Sequence, residues 1–573
     1  MPDSSQVEPA SFNCEGGLIL NRSTFMMQPG EALELENFEP DIQGGYRRIS
    51  GFKKFVNQVV PFTAANSEKV LMVATFSDNV LAARGEKIWS SASNVLGSAI
   101  AVNTAMTGSG TINADSTTGF SSSGTLQINN EIFTYTGITA ITFTGVTRAT
   151  SSTTAAAHAK SNIVSENWTL RDTGRTNAGK YRFERFNFDG NDKIVLVDGD
   201  NPPTVFNTSL AATDISESAI SNAKFVISFK QHMFYAGMSA TPQELVFSQP
   251  FDEDAFSSGS GAGSIKVDDT ITGIKSFRDA LYIFCENRIF ALTGTSSANF
   301  AITPVTRNIG CINGDTIQEF AGNLIFLGPD GLRTVAGTAN IGDVDLGTIS
   351  TNVQSLFDEN IADSTLFDSV VVADKTQYRI FFTKDGRTES ATKGIICVKR
   401  DSKYEFSELR GLKPSATDTL ITTGDVKVLH GGFNGYVYRQ ELGNDFDGTT
   451  IFGKYRSPDL TFQDPGIRKH MQRVIVNYKP EAEIDADLFI RYDYEDPESS
   501  RPAAYPLDST DVVAIYGTSS YGTPTYGGVS QPLVRQSVEG SGFAVALRVN
   551  DGGNTAPYSL KGFQLEYQTG ARR

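Results

Sequence analysis

The sequence is poor in the residues that carry most catalytic and metal-binding chemistry. Its 573 residues include four histidines, four cysteines and two tryptophans. His158, His232, His430 and His470 fall in no HExxH pattern, and no cysteine–histidine cluster has the spacing of a zinc site. The GxSxG, P-loop and GxGxxG patterns are also missing. We therefore expect no catalytic residue, cofactor or metal and no enzymatic activity, although a glycan-cleaving propeller remains an alternative.

Disulfide frameworks and apolar spans are not indicated either. Cys14, Cys285, Cys311 and Cys397 lie far apart and form no CxxC pair, which favours reduced thiols in the core. No stretch of about 18 apolar residues occurs, so no membrane span is predicted. The first residues lack a basic region followed by an apolar one, so we expect no signal peptide.

Positive charge is in deficit. Lys and Arg number 49 against 65 Asp and Glu, giving a net charge of −16. A protein that grips a nucleic-acid backbone usually needs an excess of bases. The acidic balance suits either an ordinary soluble protein or a wall that surrounds DNA and repels it.

Glycine and aromatic residues are abundant. The chain has 53 Gly, 38 Phe and 19 Tyr, which favours short strands joined by tight turns. Strand–turn–strand units of similar internal order recur, with clear examples starting at Phe225, Ile271, Thr316 and Leu420. Roughly seven units of about 40 to 50 residues are typical of propeller blades. We therefore predict an all-β protein built on a β-propeller, with a β-sandwich as the alternative.

Turn signals support this division into units. Asn-Gly or Asp-Gly pairs, which accept the positive φ of hairpin turns, occur between predicted strands. They are Asn313-Gly314, Asp330-Gly331, Asp385-Gly386 and Asn434-Gly435.

Two segments interrupt the repeat. Residues 108–164 are rich in Ser, Thr and Gly and contain a predicted hairpin across Asn129-Asn130, which indicates an inserted small β-module. From residue 450 onward, long alternating strands indicate a C-terminal β-sandwich-like domain with a Gly/Tyr-rich loop. The predicted division is an irregular segment at 1–56, a propeller at 57–107 and 165–449, the module at 108–164, and the C-terminal domain at 450–573.

One acidic pattern near residue 480 is distinctive. Acidic residues occupy every second position and apolar residues alternate with them, so a strand here would have one carboxylate face. Like charges on one face must meet water, a cation or a hydrated channel. An ordinary solvated face, a channel wall and a calcium site are the alternatives. The four residues are Glu481, Glu483, Asp485 and Asp487.

Short sequence motifs near the N-terminus resemble those of phage virion proteins of the tail-nozzle or tail-tubular type. The matching positions are Gly16, Gly17, Leu18, Pro29, Gly30, Glu31, Ala32, Asn37, Gly44, Gly45, Arg48, Gly51 and Phe52. The order GTLQINNEIFTYTG, TGVTRAT and AAAHA in the insertion is similar to a small module frequent in phage structural proteins. The unit LYIFCENRIFALTG and the final GFQLEYQTGARR also resemble nozzle proteins.

This resemblance implies a structural virion protein that retains packaged DNA and conducts it during ejection. It implies a homo-hexamer in the virion tail, assembled in the host cytoplasm, that contacts the portal and tail adaptor and tail fibres or spikes. Double-stranded DNA would pass transiently. Combined with the period-two pattern, this function predicts that Glu481, Glu483, Asp485 and Asp487 line the conduit. The alternative is a peripheral virion protein that binds host-surface glycan.

Overall fold

Antiparallel strands form almost all of the regular structure in the computed structural model. The structure describes residues 7–62, 69–177, 179–188, 190–335, 348–383, 392–422, 425–462, 464–481, 484–495, 502–507 and 533–572. Within these ranges the one α-helix is α1 (Gln354–Asp363), and 3-10 turns cover Thr24–Met26, Ser218–Ile220, Ser258–Ser260, Gly314–Thr316, Thr351–Val353 and Ala373–Lys375. No helix in the described ranges has the length and apolarity that a bilayer span requires. The predicted all-β class is confirmed.

The N-terminal segment differs from its prediction as irregular. It contributes β1 (Val7–Asn13), β2 (Glu34–Glu36), β3 (Phe38–Pro40), β4 (Tyr46–Arg48) and β5 (Phe52–Lys54). Apart from the β3–β4 hairpin, these strands pair with strands from the second half of the chain. Four of the five have three residues, which is too short to display a period-two pattern in the sequence.

The first blade carries the insertion. Its first three strands are β6 (Met72–Phe76), β7 (Asn79–Arg84) and β8 (Lys87–Ser91). The chain then forms a separate sheet from β9 (Ser93–Val95), β10 (Thr107–Asn113), β11 (Gly124–Ile128), β12 (Glu131–Tyr135), β13 (Gly137–Ile138), β14 (Thr142–Thr147) and β15 (Ile163–Glu166). It returns as β16 (Thr169–Thr173), which pairs with β8 and completes the blade.

The inserted β-module is present as predicted, and it extends over residues 92–166. It has an apolar core of its own, around Leu126, Phe133 and Phe143. The hairpin across Asn129-Asn130 is confirmed, because Ile128 pairs with Glu131. The ends of the module lie side by side in the paired strands β8 and β16, so the blade tolerates the insertion.

The next four sheets follow chain order. Three are four-stranded blades and the fourth has three strands. They are β17 (Arg182–Phe188), β18 (Asn191–Val197), β19 (Thr204–Asn207) and β20 (Ala212–Asp214); β21 (Phe225–Phe229), β22 (His232–Ala236), β23 (Glu244–Phe247) and β24 (Gly263–Lys266); β25 (Ile271–Phe277), β26 (Ala280–Cys285), β27 (Ile289–Thr293) and β28 (Ala301–Thr306); and β29 (Gln318–Phe320), β30 (Asn323–Gly328) and β31 (Gly331–Thr334).

Two more blades complete the ring. One consists of β32 (Leu366–Val372), β33 (Gln377–Thr383), β34 (Thr392–Arg400) and β35 (Lys403–Leu409). The other consists of β36 (Pro414–Thr422), β37 (Asp425–Gly432) and β38 (Val437–Gln440), and β5 supplies its fourth strand by pairing with β38. The hairpin of β39 (Asp445–Phe446) and β40 (Thr449–Thr450) adjoins β5. The N-terminal segment therefore closes the propeller.

The blades surround a common axis. The first strands of most neighbouring sheets pack against each other, and β25 contacts the 3-10 turn Gly314–Thr316 that precedes β29. β36 packs against β6 to close the circle. The predicted recurrence of about seven units corresponds to six four-stranded blades and one three-stranded sheet. The β-propeller predicted from the sequence is confirmed.

The C-terminal strands form a sandwich that is continuous with the propeller. They are β41 (Gly453–Arg456), β42 (Ile467–Pro480), β43 (Ala486–Tyr492), β44 (Tyr505–Pro506), β45 (Leu533–Ser537), β46 (Ser541–Gly542), β47 (Val545–Asp551) and β48 (Tyr558–Arg572). One sheet joins β42, β45, β46 and β48 to β1, β3 and β4. The other joins β41, β43, β44 and β47 to β2, which pairs in parallel with β35 of a propeller blade. The Gly/Tyr-rich stretch 515–532 lies outside the described residues.

An aromatic core holds the two sandwich sheets together. The Tyr455 ring on β41 stacks on Phe563 of β48 with centroids 5.7 Å apart, and it also meets Tyr46 of β4. The same core includes Phe382 and Cys397 from the adjoining blade. The predicted sandwich-like C-terminal domain is confirmed, and it shares its core with the propeller.

The predicted turn pairs have different outcomes. Asn434-Gly435 lies between β37 and β38, and Gly435 has a φ of 83°. Gly331 closes the β30–β31 hairpin with a φ of 115°. Asn313-Gly314 instead begins a 3-10 turn, in which Asn313 Oδ1 accepts a hydrogen bond from the Asp315 amide. Asp385-Gly386 lies outside the described residues.

Candidate functional site

The acidic stripe lies at the start of β43. Asp485 and Asp487 are exposed, so the predicted alternation is present between residues 484 and 488. β43 itself begins only at Ala486, and Glu483 lies outside the described residues. The apolar positions that alternate with the acids are buried: Ile484, Ala486 and Leu488.

Glu481 does not belong to this stripe. The chain bends there, and the carboxylate forms a bidentate ion pair with Arg47 of β4, with N–O distances of 2.7 and 2.9 Å. The Arg47 Nη1 atom also donates to Glu39 at 3.2 Å. A period-two pattern places residues on one face only while the backbone stays extended, so the sequence alone could not show this bend.

The face that carries Asp487 is mixed in charge. Cross-strand neighbours on one face have Cβ atoms about 4.5–5.5 Å apart, so their charges interact. The row of cross-strand neighbours that starts at Asp487 continues with Asn550 on β47, Lys454 on β41 and Glu36 on β2. The adjacent row contains Phe489, Arg548, Arg456 and Glu34. The predicted conduit lining therefore reduces, among the described residues, to Asp485 and Asp487 beside arginines. That DNA passes along it stays a prediction.

A second candidate site lies on the propeller axis. The innermost strands enclose a cavity of about 870 Å³ lined by ion pairs. Arg182 of β17 forms a bidentate pair with Asp315 at 2.7 and 2.9 Å. Lys180 lies 2.7 Å from Asp368 of β32 and 3.6 Å from Asp315. These pairs link the start of the β17 blade to the 3-10 turn before the three-stranded sheet and to the β32 blade that follows it.

Burial and pairing set opposite pKa directions for the two axial acids. Burial alone would raise the pKa of Asp315, but Arg182 and Lys180 hold it below its usual value. Burial raises the pKa of Asp368, and Lys180 offsets only part of that effect. The Asp368 Oδ2 atom has no hydrogen-bond partner in the described part of the chain. Burial and pairing therefore displace the pKa values of the two axial carboxylates in opposite directions.

A buried ion pair centred on Arg48 joins the two sheets of the sandwich. The Arg48 guanidinium is fully buried, and its Nε lies 3.2 Å from Oδ1 of buried Asp551 on β47. It also donates to the carbonyl oxygens of Thr555 at 2.7 Å and Gly553 at 2.5 Å. Burial raises the pKa of Asp551, and Arg48 opposes this rise. A buried pair of this kind is strongly destabilising to break, because one charge is left uncompensated.

Two other motifs of the nozzle resemblance, at Gly17 and Asn37, lie at the joint where the sandwich meets propeller strand β35, and a third, at Gly30, lies beside β1. Asn37 adopts a φ of 55°; its amide donates to the Phe452 carbonyl and its Oδ1 accepts from the Arg410 amide, both at 2.8 Å. A Cβ on Gly30, at φ 101°, would lie 2.0 Å from the Asn13 carbonyl oxygen. A Cβ on Gly17 would lie 2.8 Å from the Phe406 amide nitrogen. These residue types are required by close backbone approaches.

A buried charge network also crosses the joint. Arg379 of β33 pairs with Glu39 at 3.3 Å and with Glu441, which follows β38. Lys375 contacts both acids, at 2.6 Å in the case of Glu39. Burial opposes ionisation of Glu441, yet Lys375 and Arg379 lower its pKa. Glu39 also contacts Arg47, so the network extends to Glu481.

The inserted module has a buried charge cluster of its own. Arg148 donates to both oxygens of Glu131 at 2.8 Å, and His158 Nε2 lies 2.8 Å from the same carboxylate. The amides of Ala149 and Ala156 also donate to it. Burial by itself would raise the pKa of Glu131, but these hydrogen bonds outweigh burial and lower the pKa to about 2. The Ser/Thr/Ala-rich segment of residues 148–158 is thereby fixed to β12.

The sequence patterns did not single out the axial and joint charges. Arg182, Asp315 and Asp368 come from separate blades, and single charges in strands give no local signal. Arg48 did carry a signal, since it belongs to the motifs of the nozzle resemblance. Within the described residues no group of three or more potential metal ligands occurs. The geometry is that of a rigid, ion-paired scaffold.

Comparisons with known proteins bear on the fold alone. No family model and no curated protein matches the sequence. Among solved structures, the C-terminal WD40 domain of Sif2 is 11% identical with a TM-score of 0.32, covering 68% of this chain and 99% of its own. The Neurospora crassa Pan2 WD40 domain is 7% identical with a TM-score of 0.31, covering 68% and 95%. Kluyveromyces lactis Hsv2 is 9% identical with a TM-score of 0.28, covering 60% and 98%. Similarity this low says nothing about function.

Proposed function

We propose that this chain is the nozzle of a short phage tail. Six copies form a ring below the portal and its adaptor, carry tail fibres or spikes, and conduct double-stranded DNA. The observation that supports the proposal is where the motifs of the nozzle resemblance lie. Gly17 and Asn37 lie at the joint between propeller and sandwich, and Gly30 and Arg48 lie within the sandwich beside it; close approaches and a buried ion pair demand those residue types. Proteins that share this architecture need the same contacts, so they would share the short sequence motifs that form them.

The electrostatics suit a conduit that does not hold its cargo. A net charge of −16 per copy repels DNA phosphates, so a ring of copies presents a surface with few long-lived contacts. Many of the arginines are already engaged with carboxylates, as in the pairs of Arg48, Arg182 and Arg379. The role is structural and non-enzymatic; the protein is part of the virion tail and is assembled in the host cytoplasm.

Virions that lack this chain test the proposal directly. A nonsense mutation early in its gene, grown without suppression, should give heads that package DNA and then lose it. Growth in a suppressor strain is the control and should restore stable, filled particles. Particles that keep their genome without the chain would contradict the nozzle function.

The second candidate is a peripheral virion protein that binds host-surface glycan. It is favoured by an aromatic-lined cleft beside the exposed ring of Phe452. In the same nonsense mutant, this function predicts filled, stable particles that fail to adsorb to the host. The two functions thus differ in whether the genome or the adsorption is lost.

A further inference from the structure

A cleft of about 420 Å³ opens between the last propeller blade and the start of the sandwich. Its volume lies in the range of roughly 300–1,000 Å³ that is typical of small-molecule sites. The cleft is formed where β5, β37, β38 and the β39–β40 hairpin meet the segments before β36 and β41. Its aromatic lining consists of Phe52, Phe433, Tyr438, Phe446 and Phe452.

The rings are fixed in place. Phe52 stacks on Phe446 with centroids 5.1 Å apart and meets the Tyr438 ring edge-on at 4.9 Å. Gly411 has a φ of 88°, and a Cβ there would lie 2.5 Å from the Phe446 ring. The cleft is therefore shaped by packing and needs little rearrangement to accept a ligand.

Phe452 differs from the other rings because it is 61% exposed. Its backbone carbonyl accepts the hydrogen bond from Asn37, which also holds the Arg410 amide on the neighbouring segment. An exposed ring on a fixed backbone is a platform for a flat apolar surface. The C–H face of a pyranose is such a surface, and its hydroxyl groups remain free for polar contacts.

The polar rim of the cleft is balanced in charge. Its acids are Glu36 and Asp447, and its bases are Arg410 and Lys413. Arg410 lies 3.4 Å from Glu36, and Asp447 lies 3.5 Å from Lys54, so the acids already have partners. A charged ligand would have to displace such a pair, whereas a neutral polyol would not.

Uncharged groups complete the lining. The hydroxyls of Thr449 and Thr450 and the amide of Asn434 belong to residues of the rim. His430 forms part of the wall between Phe52 and Tyr438, and burial lowers its pKa to about 3, so it adds no charge near neutral pH. The lining is aromatic, hydroxylic and neutral overall.

We propose that this cleft binds a neutral saccharide, with one sugar ring packed on Phe452 and its hydroxyls directed to the threonines and Arg410. The inference rests on the cleft and does not depend on the nozzle function. An aromatic peptide side chain and a second copy of this chain are the other occupants that the experiment distinguishes.

Saturation-transfer NMR on the purified full chain tests the proposal. The probes are maltose, lactose and N,N′-diacetylchitobiose as neutral sugars, glucuronic acid as a charged sugar, and N-acetylphenylalanine amide as an aromatic peptide mimic. The variant is Phe452→Ala. Its matched control is Phe25→Ala, because Phe25 is 64% exposed but lies outside the cleft, against Tyr494.

At least one neutral sugar should bind, and Phe452→Ala should weaken that binding roughly tenfold, equivalent to about 1.4 kcal/mol. Phe25→Ala and the conservative Phe452→Tyr should leave it unchanged, and all variants should melt like the parent. The proposal is overturned if no neutral sugar binds, if only the charged sugar or the aromatic amide binds, or if Phe452→Ala binds sugar normally. A change of molecular mass in Phe452→Ala without a change in sugar binding would assign the face to a second copy instead.

Discussion

The inserted module and the sandwich both bury an arginine with its carboxylate, but over very different distances along the chain. In the module Arg148 and Glu131 are 17 residues apart. In the sandwich Arg48 reaches the Gly553 carbonyl, 505 residues away. The module can therefore form from its own residues, whereas the sandwich requires both ends of the chain. Similar chemistry stabilises a local unit in one place and a unit built from both chain ends in the other.

The largest effect is expected from the buried ion pair in the sandwich. Arg48→Met leaves buried Asp551 uncompensated, which should cost about 3–5 kcal/mol. The measurement is the midpoint of urea-induced unfolding, followed by far-UV circular dichroism. Arg288→Met is the control: Arg288 pairs with Asp268 at the surface, and its loss should cost about 1 kcal/mol or less. Equal midpoints for the two variants would show that the Arg48–Asp551 pair contributes no more to stability than a surface pair does.

A smaller and local effect is expected in the module. Glu131→Gln removes the charge that Arg148 and two backbone amides share, and bonds to charged groups contribute about 1.5–3 kcal/mol. Faster amide hydrogen exchange should be confined to residues 92–166. Arg182→Met, which breaks the axial pair with Asp315, is the comparison and should leave exchange in the module unchanged. Faster exchange throughout the propeller in Glu131→Gln would contradict the independence of the module.

Acid should loosen the module through the same group. The folded pKa of Glu131 is about 2, against a reference value of 4.5, so its stabilisation is present above about pH 4.5 and is lost as pH falls toward 2. Amide protection factors in residues 92–166, which correct exchange rates for their intrinsic pH dependence, should fall over this window in the parent. Glu131→Gln should show a flatter pH dependence there. Parallel profiles in the two proteins would mean that Glu131 does not control the acid sensitivity.

Removal of the module should cost still less. Replacing residues 92–166 by a short Gly/Ser bridge joins β8 to β16 where Ser90 already pairs with Thr169. The propeller loses contacts such as the Asn57 side-chain bonds to Gln127 and Ile163, each contributing about 1 kcal/mol. Thermal unfolding should remain cooperative. An insoluble or non-cooperative product would show that the module is part of the propeller's core.

The smallest effect on stability is expected at the acidic stripe. Asp485→Lys with Asp487→Lys should cost about 0.5 kcal/mol or less per site, because both side chains are exposed. If the stripe lines a conduit, the variant should bind duplex DNA in a salt-dependent way and slow genome ejection. The double Asn variant is the control for charge removal without reversal. Normal genome ejection by the Lys variant would show that these residues form an ordinary solvated face and do not line a conduit.

The sequence predicts what is periodic and local, and the structure adds what is distant. The blades, the hairpin at Asn129-Asn130 and the alternation at 484–488 follow from spacing within a few residues. The pairing of β5 with β38 and the bidentate contact of Glu481 with Arg47 do not, because a three-residue strand and a single bend carry no pattern. The motifs of the nozzle resemblance did include Arg48, but only the fold shows why an arginine is needed there: it pairs with buried Asp551.

Closure of the propeller by β5 also orders events in time. During synthesis β5 emerges early, but its partner β38 begins at Val437. At roughly 5–20 residues per second, β5 waits on the order of 20–80 seconds for β38. The module, whose strands lie within residues 93–166, is complete long before that. The nascent chain thus carries a finished domain on an open ring, and the last blade determines when the ring closes.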